Sequence, residues 1–418
     1  MTTTIDAARG RHPTARVSLR SATAPAPARR SFRRSAPKLG VATSGSHTPP
    51  VFWTILGAVS GLTLIGLVFV LSASSWRASR QLDSSWYWFT KQSTFVGLGT
   101  IGLAVGVKVP YHFWVRHARF GILVALGGLV AVLIPTGLSH EVNGSRRWLG
   151  PEFVSFQPSE LAKLAMIMWL ARMLYVRADR IRDASATIYP ACVMLGLVAF
   201  LVVMEPDLGT TVLICAVTFI MLAVAGARLD SLASLVAPAV TIALILAFQG
   251  YRGRRMMAFL DPWEEATRAG WQTLQSRVGI ASGGIFGVGL GNGRSKWGFL
   301  PEAHTDFIYS VIGEELGLIG CLAVLGLFLA FIVAGVNAGR RARDGAGTLI
   351  AVGISSWIGL QALFNIGVAV GVLPNKGITL PFVSYGGSSL AVTMFATGIL
   401  LNVARHPAAV PANATRRR

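Results

Sequence analysis

The stretch WGFLPEAHTD, Trp297 to Asp306, runs without a break into FIYSVIGEELGLIGCLAVLGLFLAFIVAG, Phe307 to Gly335. The first part is polar and ionisable. The second is a continuous apolar run, longer than the ~20 residues a helix needs to cross a bilayer. An acid where water meets hydrocarbon is costly to keep. His304, Asp306, Glu314 and Glu315 along the start of one such helix therefore point to chemistry or transport at a membrane face. Reading this seam as the start of a membrane-spanning helix decides the fold class, because the rest of the chain divides in the same way.

Of the 418 residues, 53% are hydrophobic and 13% charged, and the mean hydropathy is +0.57. That is too apolar for a soluble chain of this size. The net charge of +20 would suggest nucleic acid in a soluble protein. Here the bases sit mainly in tails and short loops, which is the signature of membrane orientation, and nucleic acid is set aside. Cys192, Cys215 and Cys321 lie within apolar runs and read as small packing residues, with no disulfide or metal spacing. The histidines show no ligand pattern, so no metal site is assigned. Residues 1–50 carry nine Arg or Lys against one acid, Asp6, among many Ala, Pro, Ser and Thr. Such a segment cannot bury a core and is expected to be a disordered basic cytoplasmic tail, with 406–418 a second, short one. The first apolar run begins only near Val51, which fits an uncleaved span rather than a secretory signal.

Apolar stretches recur at about 51–74, 93–109, 120–138, 160–176, 187–204, 209–227, 231–249, 307–335, 347–372 and 384–404. The expectation is an all-α integral membrane protein of about ten transmembrane helices. If ten spans alternate, the basic loops at Arg116 and Arg119, at Arg177, Arg180 and Arg182, at Arg228, at Arg340, Arg341 and Arg343, and at the C-terminus all share one side with the N-terminal tail. The positive-inside rule makes that side cytoplasmic, with both termini inside. The opposite side then carries the long segment 250–306 between the seventh and eighth spans. Its apolar stretches, Val278–Ile280 and Ile285–Leu290, argue for an ordered extracellular loop lying partly on the membrane rather than a disordered one.

Several groups stand out on that outer side. Asp306 can act as a general base if partial desolvation raises its proton affinity. A helix cap or a partner for the helix dipole is the plainer explanation of an acid there, but Glu302 and His304 add titratable groups within four residues. Glu314 lies two turns and ~12 Å deeper, and Glu315 points to nearly the opposite face; a structural ion pair is the favoured reading of these acids. Lys163 follows the helix start at Pro158 or Ser159 and can pair with Glu160 three residues earlier. A bridge from Lys163 to Asp207, in the turn Glu205-Pro206-Asp207-Leu208-Gly209, would join two otherwise uncompensated charges and shape a cavity. The run Gly283 to Gly293 is glycine-dense without a nucleotide fingerprint. Its backbone N–H groups, with Arg252, Arg254, Arg255, Arg277, Arg294 and Lys296 nearby in sequence, suit a pyrophosphate at the membrane surface; contact with anionic lipid is an equal reading. At the start of the last span, Gly386 and Gly387 read as packing residues, while Ser384, Tyr385 and Ser388 can line a polar cavity.

The ten-span plan resembles the SEDS family (shape, elongation, division and sporulation) over about 51–405. So do Phe156-Gln157-Pro158-Ser159-Glu160-Leu161-Ala162-Lys163, Glu205 through Gly209, Phe259-Leu260-Asp261-Pro262-Trp263, Leu300 through Gly317 and Leu380 through Ser389. Pro301 through Phe307 and Leu71 through Ser75 are more similar to the division branch than to the elongation branch. The resemblance implies a peptidoglycan glycosyltransferase that polymerises lipid II at the plasma membrane, at the division septum, alongside a class B penicillin-binding protein and other division proteins. It implies that Asp306 is the base, that Lys163 and Asp207 form a cavity ion pair, and that Glu160 is a neighbouring cavity acid. One departure is Lys91-Gln92, where the family often has Arg-Gln; lysine keeps the charge and loses the fork. No cofactor is implied with certainty, though a divalent cation, Mg or Mn, could help neutralise the leaving pyrophosphate. A lipid II flippase, an elongation polymerase and a non-catalytic scaffold remain alternatives.

Overall fold

The computed structural model describes residues 48–408 apart from 83, 135–138, 143–144, 152–154 and 265–268. The expected tails, 1–50 and 406–418, fall almost wholly outside the described residues. The helices are α1 (Pro50–Leu82), α2 (Tyr87–Lys108), α3 (Tyr111–Leu133), α4 (Pro158–Val176), α5 (Ile188–Met204), α6 (Leu208–Ala225), α7 (Leu229–Ala247), α8 (Gly250–Leu260), α9 (Ala269–Gly283), α10 (Ile308–Arg340), α11 (Gly345–Ala369) and α12 (Ser388–Arg405). Seven of them, α1, α3, α6, α7, α10, α11 and α12, are long and apolar enough to cross a membrane. The expected count of ten needs α2, α4 and α5 as well. Their sequences explain why they stand apart: α2 carries Lys91 and Lys108, α4 carries Glu160, Lys163 and Arg172, and α5 has 17 residues.

The all-helical expectation misses one element. Between α3 and α4 an antiparallel hairpin pairs β1 (Ser139–Val142) with β2 (Ser145–Leu149). Its polar, short strands leave no hydropathy trace.

The interior is built from α1, α4, α10, α11 and α12, with Trp357, Phe328, Phe331 and Phe382 fully buried. Glycines decide how closely α2 approaches α12. A Cβ on Gly106 would lie 2.8 Å from the backbone of Gly398 and of Phe395, and one on Gly99 would meet Met394. Small residues replace hydrophobic drive with backbone proximity, as expected where lipid is as apolar as leucine. Helix α7 is peripheral: among its residues only Leu232 and Ala247 are buried, and Val240, Ile242, Leu244 and Ile245 face outward.

Hydrogen bonds sort the helix ends into two groups. At one end the backbone N–H of Tyr111 donates to Asn402 Oδ1 (3.0 Å) and Asn402 Nδ2 donates to the Val107 carbonyl (2.7 Å). His112 meets Asp344 there at 2.8 Å. At the other end Gln92 donates to the Ser384 carbonyl, the Gln157 N–H donates to Ser388 Oγ, and the Tyr385 N–H donates to the His304 carbonyl. The arginine-rich turns at 177–182, 228 and 340–343 follow the ends of α4, α6 and α10 and belong with the first group. The 297–306 stretch belongs with the second.

The segment 250–306 is ordered over its described residues, as its apolar stretches predict. It forms α8, α9, a glycine-rich loop and a π-helical turn at Ser295–Phe299. Ile285, Phe286, Leu290, Trp297 and Phe299 are exposed, a surface suited to lipid. The loop also repairs a break. Gly317, at φ 66° and ψ −161°, interrupts α10, a backbone conformation open to glycine alone. The freed groups find partners in the loop: Val288 N–H donates to Glu314 O and Leu318 N–H to Gly284 O, at 3.0 and 2.9 Å.

Candidate active site

Asp306 sits in the turn immediately before α10. The N-terminal flanking residue of the helix is Phe307, and no side chain caps it. Asp306 is therefore not spent as a cap, which removes the plainest structural explanation for it. The residue is half-buried. Burial pushes its carboxyl up to about 7; the charge of Glu302 acts in the same direction, while Arg255 and Arg147 oppose. A carboxyl that titrates near 7 is matched to proton abstraction at neutral pH.

A side chain of α11 holds this group in place and brings a loop against it. Asn365 Nδ2, four residues from the end of α11, donates to the Asp306 carbonyl (2.8 Å) and to the Ile378 carbonyl (2.7 Å). The bond draws the 370–387 loop against the Asp306 turn. At the contact is Gly377, with φ +66°, where a Cβ would lie 3.5 Å from Asp306 Oδ2. Its neighbour Lys376 is half-buried, and burial lowers its ammonium pKa. Arg147 on β2 donates to the carbonyls of Glu205 and Pro206, both at 2.8 Å, and approaches Asp207 at 3.9 Å. The hairpin is thus pinned beside the turn that starts α6. Arg255 and Arg147 bring positive charge toward the acid, and Glu302 and Asp207 bring negative charge.

The other residues singled out from sequence fall into distinct roles. His304 is buried, packed at ring-centroid distances of 5.2 Å from Trp88 and 5.8 Å from Tyr385. Burial pushes its imidazole down to about 4, so it is neutral near pH 7. Lys91 lies over the rings of Tyr87 and Trp88 in the same aromatic group, at 5.7 Å from each. Glu302 pairs with Arg77 at 3.5 Å and adopts φ +55°. Ser384 accepts from the Leu380 N–H and donates to the Thr305 carbonyl, so it fastens the loop rather than lining an open cavity. Ser388 Oγ accepts the Gln157 N–H at 3.1 Å and ties the starts of α12 and α4.

Lys296 differs from the substrate-binding expectation. Its ammonium is buried and bonded to Glu315 (2.9 Å), Ser72 (3.1 Å) and the Gly291 carbonyl. Glu315 also accepts from Ser72 and from the Gly291 N–H. Glu314 accepts the N–H groups of Arg294 and Ser295, at 2.8 and 3.1 Å. The favoured reading of these acids as a structural ion pair agrees with Lys296–Glu315. The expectation that Glu314 and Glu315 face opposite ways does not, because the loop wraps around both. The Arg294 side chain is exposed and remains available to a ligand.

The Lys163–Asp207 bridge is also corrected. Lys163 pairs with Glu160 at 2.8 Å and donates to Gln361 Oε1 at 3.0 Å, with Trp357 beneath it at 5.0 Å. Glu160 in turn accepts from Ser389. Asp207 caps α6, accepting from the Thr210 N–H and hydroxyl at 3.0 and 2.8 Å. A partner one turn away on the same helix orders fewer free bonds than one across the bundle, so the local acid takes the lysine. Near Asp207, both carboxyl oxygens of Glu205 are buried and unpartnered among the described residues, and burial raises that carboxyl to about 8. Glu205 is held neutral at pH 7. Among the described residues no group of three or more His, Cys, Asp or Glu could hold a metal ion.

The profile of the cell cycle protein family FtsW/RodA/SpoVE matches residues 52–409. The chain belongs to the SEDS family. It is 40% identical over 358 residues to a Geobacter metallireducens protein named probable peptidoglycan glycosyltransferase FtsW, covering 85% of this chain and 95% of that one. It is 41% identical over 350 residues to stage V sporulation protein E of Bacillus subtilis, covering 82% and 94%. Among solved structures, a chain from a peptidoglycan synthase complex matches with a TM-score of 0.69 at 27% identity, covering 84% of this chain and 97% of that one. Thermus thermophilus RodA matches with a TM-score of 0.63 at 26% identity, covering 84% and 96%. This SEDS chain is accordingly a multi-pass membrane protein.

Sequence reasoning passes over Asn365, Lys376, Gly377 and Arg147. Asn365 has a visible signal: with Gln361 it places two amides four residues apart within an apolar span, on one helix face. Lys376 and Gly377 have none, since their importance comes from a loop folding back onto Asp306. In this SEDS chain the candidate site is an uncapped carboxyl just before α10, with Gly377 against one side of it.

Proposed function

We propose that Asp306 is the general base of a lipid II polymerase, and that this SEDS protein is a peptidoglycan glycosyltransferase. The observation that carries the reading is the state of that one carboxyl: partly buried, uncapped, held by its backbone, and pushed up to about 7. In the reaction Asp306 takes the proton of the acceptor's GlcNAc 4-hydroxyl. That oxygen attacks the MurNAc anomeric carbon of the donor. The bond from that carbon to the lipid diphosphate breaks, and undecaprenyl diphosphate leaves with the electron pair. One displacement inverts the centre and gives a β-1,4 link. Lys376, Arg147, Arg255 and the exposed Arg294 supply positive charge for the leaving diphosphate. A divalent cation, Mg or Mn, would be carried by that diphosphate.

Ten spans with both termini inside put the arginine-rich turns in the cytoplasm and Asp306 on the outer face, where the saccharides of lipid II lie. The FtsW-named relatives support a place at the division septum. The synthase-complex relative, whose structure concerns polymerization and crosslinking, supports a class B penicillin-binding protein as partner. A flippase reading would use the break in α10 as part of a path. The plugging of that break by residues 284–289 favours the polymerase. Labelled lipid II given to the purified protein with its transpeptidase partner tests the assignment. Glycan strands from the native chain and none from Asp306→Ala are expected. Transport without polymer, or polymer from the variant, would overturn it.

A further inference from the structure

We propose that α9 is the positioning arm of the Asp306 site, with Gln272 and Arg277 as its positioning residues. The inference rests on the reading of Asp306 as the base. Helix α9 belongs to the long segment between α7 and α10, and its role is indirect. Its side chains fasten the loop that approaches Asp306.

Three anchors act in sequence, one at the last residue of α11 and two on the loop that follows it. Ser276 Oγ donates to the Ala369 carbonyl at 2.6 Å. Arg277 Nη2 donates to the Gly371 carbonyl at 2.8 Å. Asn375 Nδ2 donates to Gln272 Oε1 at 2.7 Å. The Arg277 guanidinium also fills the space where a side chain on residue 371 would begin; Gly371 has φ +78°, and a Cβ there would collide with Arg277 Nε. A side chain at residue 371 is therefore excluded while Arg277 occupies that space.

The next residues after Asn375 are Lys376 and Gly377. They are gripped again at Ile378, whose carbonyl accepts from Asn365. Lys376 and Gly377 thus hang between an α9 anchor at 375 and an α11 anchor at 378. Gly377 lies against one side of the Asp306 carboxylate. Without the α9 anchors the loop is tied down only from Ile378 onward, by Asn365, Gln361 and Ser384, so Gly377 is free to move off Asp306 and admit water. The other charged groups facing Asp306 stay where they are: Glu302 on its own turn, Arg255 on α8, Arg147 on β2 and Asp207 at the start of α6. A displacement of about 1 Å at a reacting centre can cost 10²-fold in rate.

The test uses the full chain with its transpeptidase partner and measures lipid II polymerisation from pH 5 to 9. Gln272→Ala, Asn375→Ala and the double variant are compared with Arg277→Met and Arg277→Lys. The expected result is a roughly 10-fold to 10²-fold slower turnover with KM nearly unchanged. The acid limb of the rate should also move down, toward the ordinary carboxylate range, as Asp306 becomes hydrated. The double variant should cost no more than either single one, and Arg277→Lys should retain most of the rate because an ammonium can still donate to Gly371. An acid limb that stays in place, or additive losses in the double variant, would overturn the proposal. If Gln272→Ala does not fold, Gln272→Met keeps the length without the acceptor and is read by the same two criteria. Retained polymerisation by Asp306→Asn would instead overturn the underlying assignment of the base, so the two failures are distinguishable.

Discussion

Two acidic clusters lie at the start of α10, about two turns apart, and the protein treats them oppositely. Glu314 and Glu315 are saturated. Between them they accept from three backbone N–H groups, one serine and one buried ammonium. Asp306 is partly buried, and the hydrogen bond that fixes it is made by its backbone carbonyl. A buried charge is kept either because it is fully compensated or because its discomfort is used. The saturated pair holds the glycine-rich loop inside the break of α10. The unsaturated acid is the one proposed to exchange a proton. The difference lies in their partners, since all three groups are carboxylates.

The sharpest way to break this contrast is to neutralise each cluster in turn. Asp306→Asn should lower polymerisation by roughly 10²- to 10⁴-fold, the usual contribution of a general base, while the folded protein is recovered in full. Glu315→Gln should do the reverse. It leaves Lys296 buried without its counter-ion, a loss of about 3–5 kcal/mol, visible as lower yield and a lower Tm in detergent. Replacing both members, Lys296→Met with Glu315→Leu, should recover part of that loss. If Asp306→Asn destabilises as strongly as Glu315→Gln, the two clusters are alike and the contrast fails.

The pH dependence sharpens it further. Asp306 must be ionised to act, so kcat/KM should fall as pH drops through about 7, well above the limb of an ordinary aspartate at ~3.9. The stability linkage has the opposite sign. A carboxyl whose folded pKa is raised stabilises the fold fully below about pH 4, and that contribution is lost as pH rises through 7. Asp306→Asn should therefore flatten the decline in Tm between pH 5 and 8 while abolishing activity. His304, pushed down to about 4, is neutral throughout and should add no limb between pH 6 and 8.

How much of this is legible in the chain depends on how local each feature is. The seven strongest spans, the start of α4 at Pro158, the order in 250–306 and the candidate base all follow from hydropathy, helix-start chemistry and the position of one acid. The hairpin does not, because two short polar strands carry no apolar signature. The break at Gly317 is hidden for a related reason: apolar stretches continue on both sides of Glu314 and Glu315, and only backbone partners some 30 residues earlier show that the helix stops. The role of Lys296 escapes a linear reading because a basic residue in a glycine-rich segment looks free until the acid that buries it is located in space. Asn365 and Gln361 carry a signal that spacing alone can expose.

The smallest expected effect concerns the second lysine. Sequence alone suggests that Lys163 reaches across to Asp207, yet it pairs with Glu160 and leaves Asp207 to cap α6. Double-mutant cycles distinguish these partners. Asp207→Asn removes a charged cap but keeps a side chain that caps well, so it should cost less than about 1 kcal/mol. Its coupling to Lys163→Met should be zero within error, because the two residues share no bond. Glu160→Gln combined with Lys163→Met should instead couple by about 0.5–3 kcal/mol, since either single change leaves the other charge buried without its counter-ion. Coupling of that size between Lys163 and Asp207 would mean that the lysine switches partners. Glu160 and Ser389 would then be a resting state, and the α4–α6 contact a moving part of the site rather than a fixed wall.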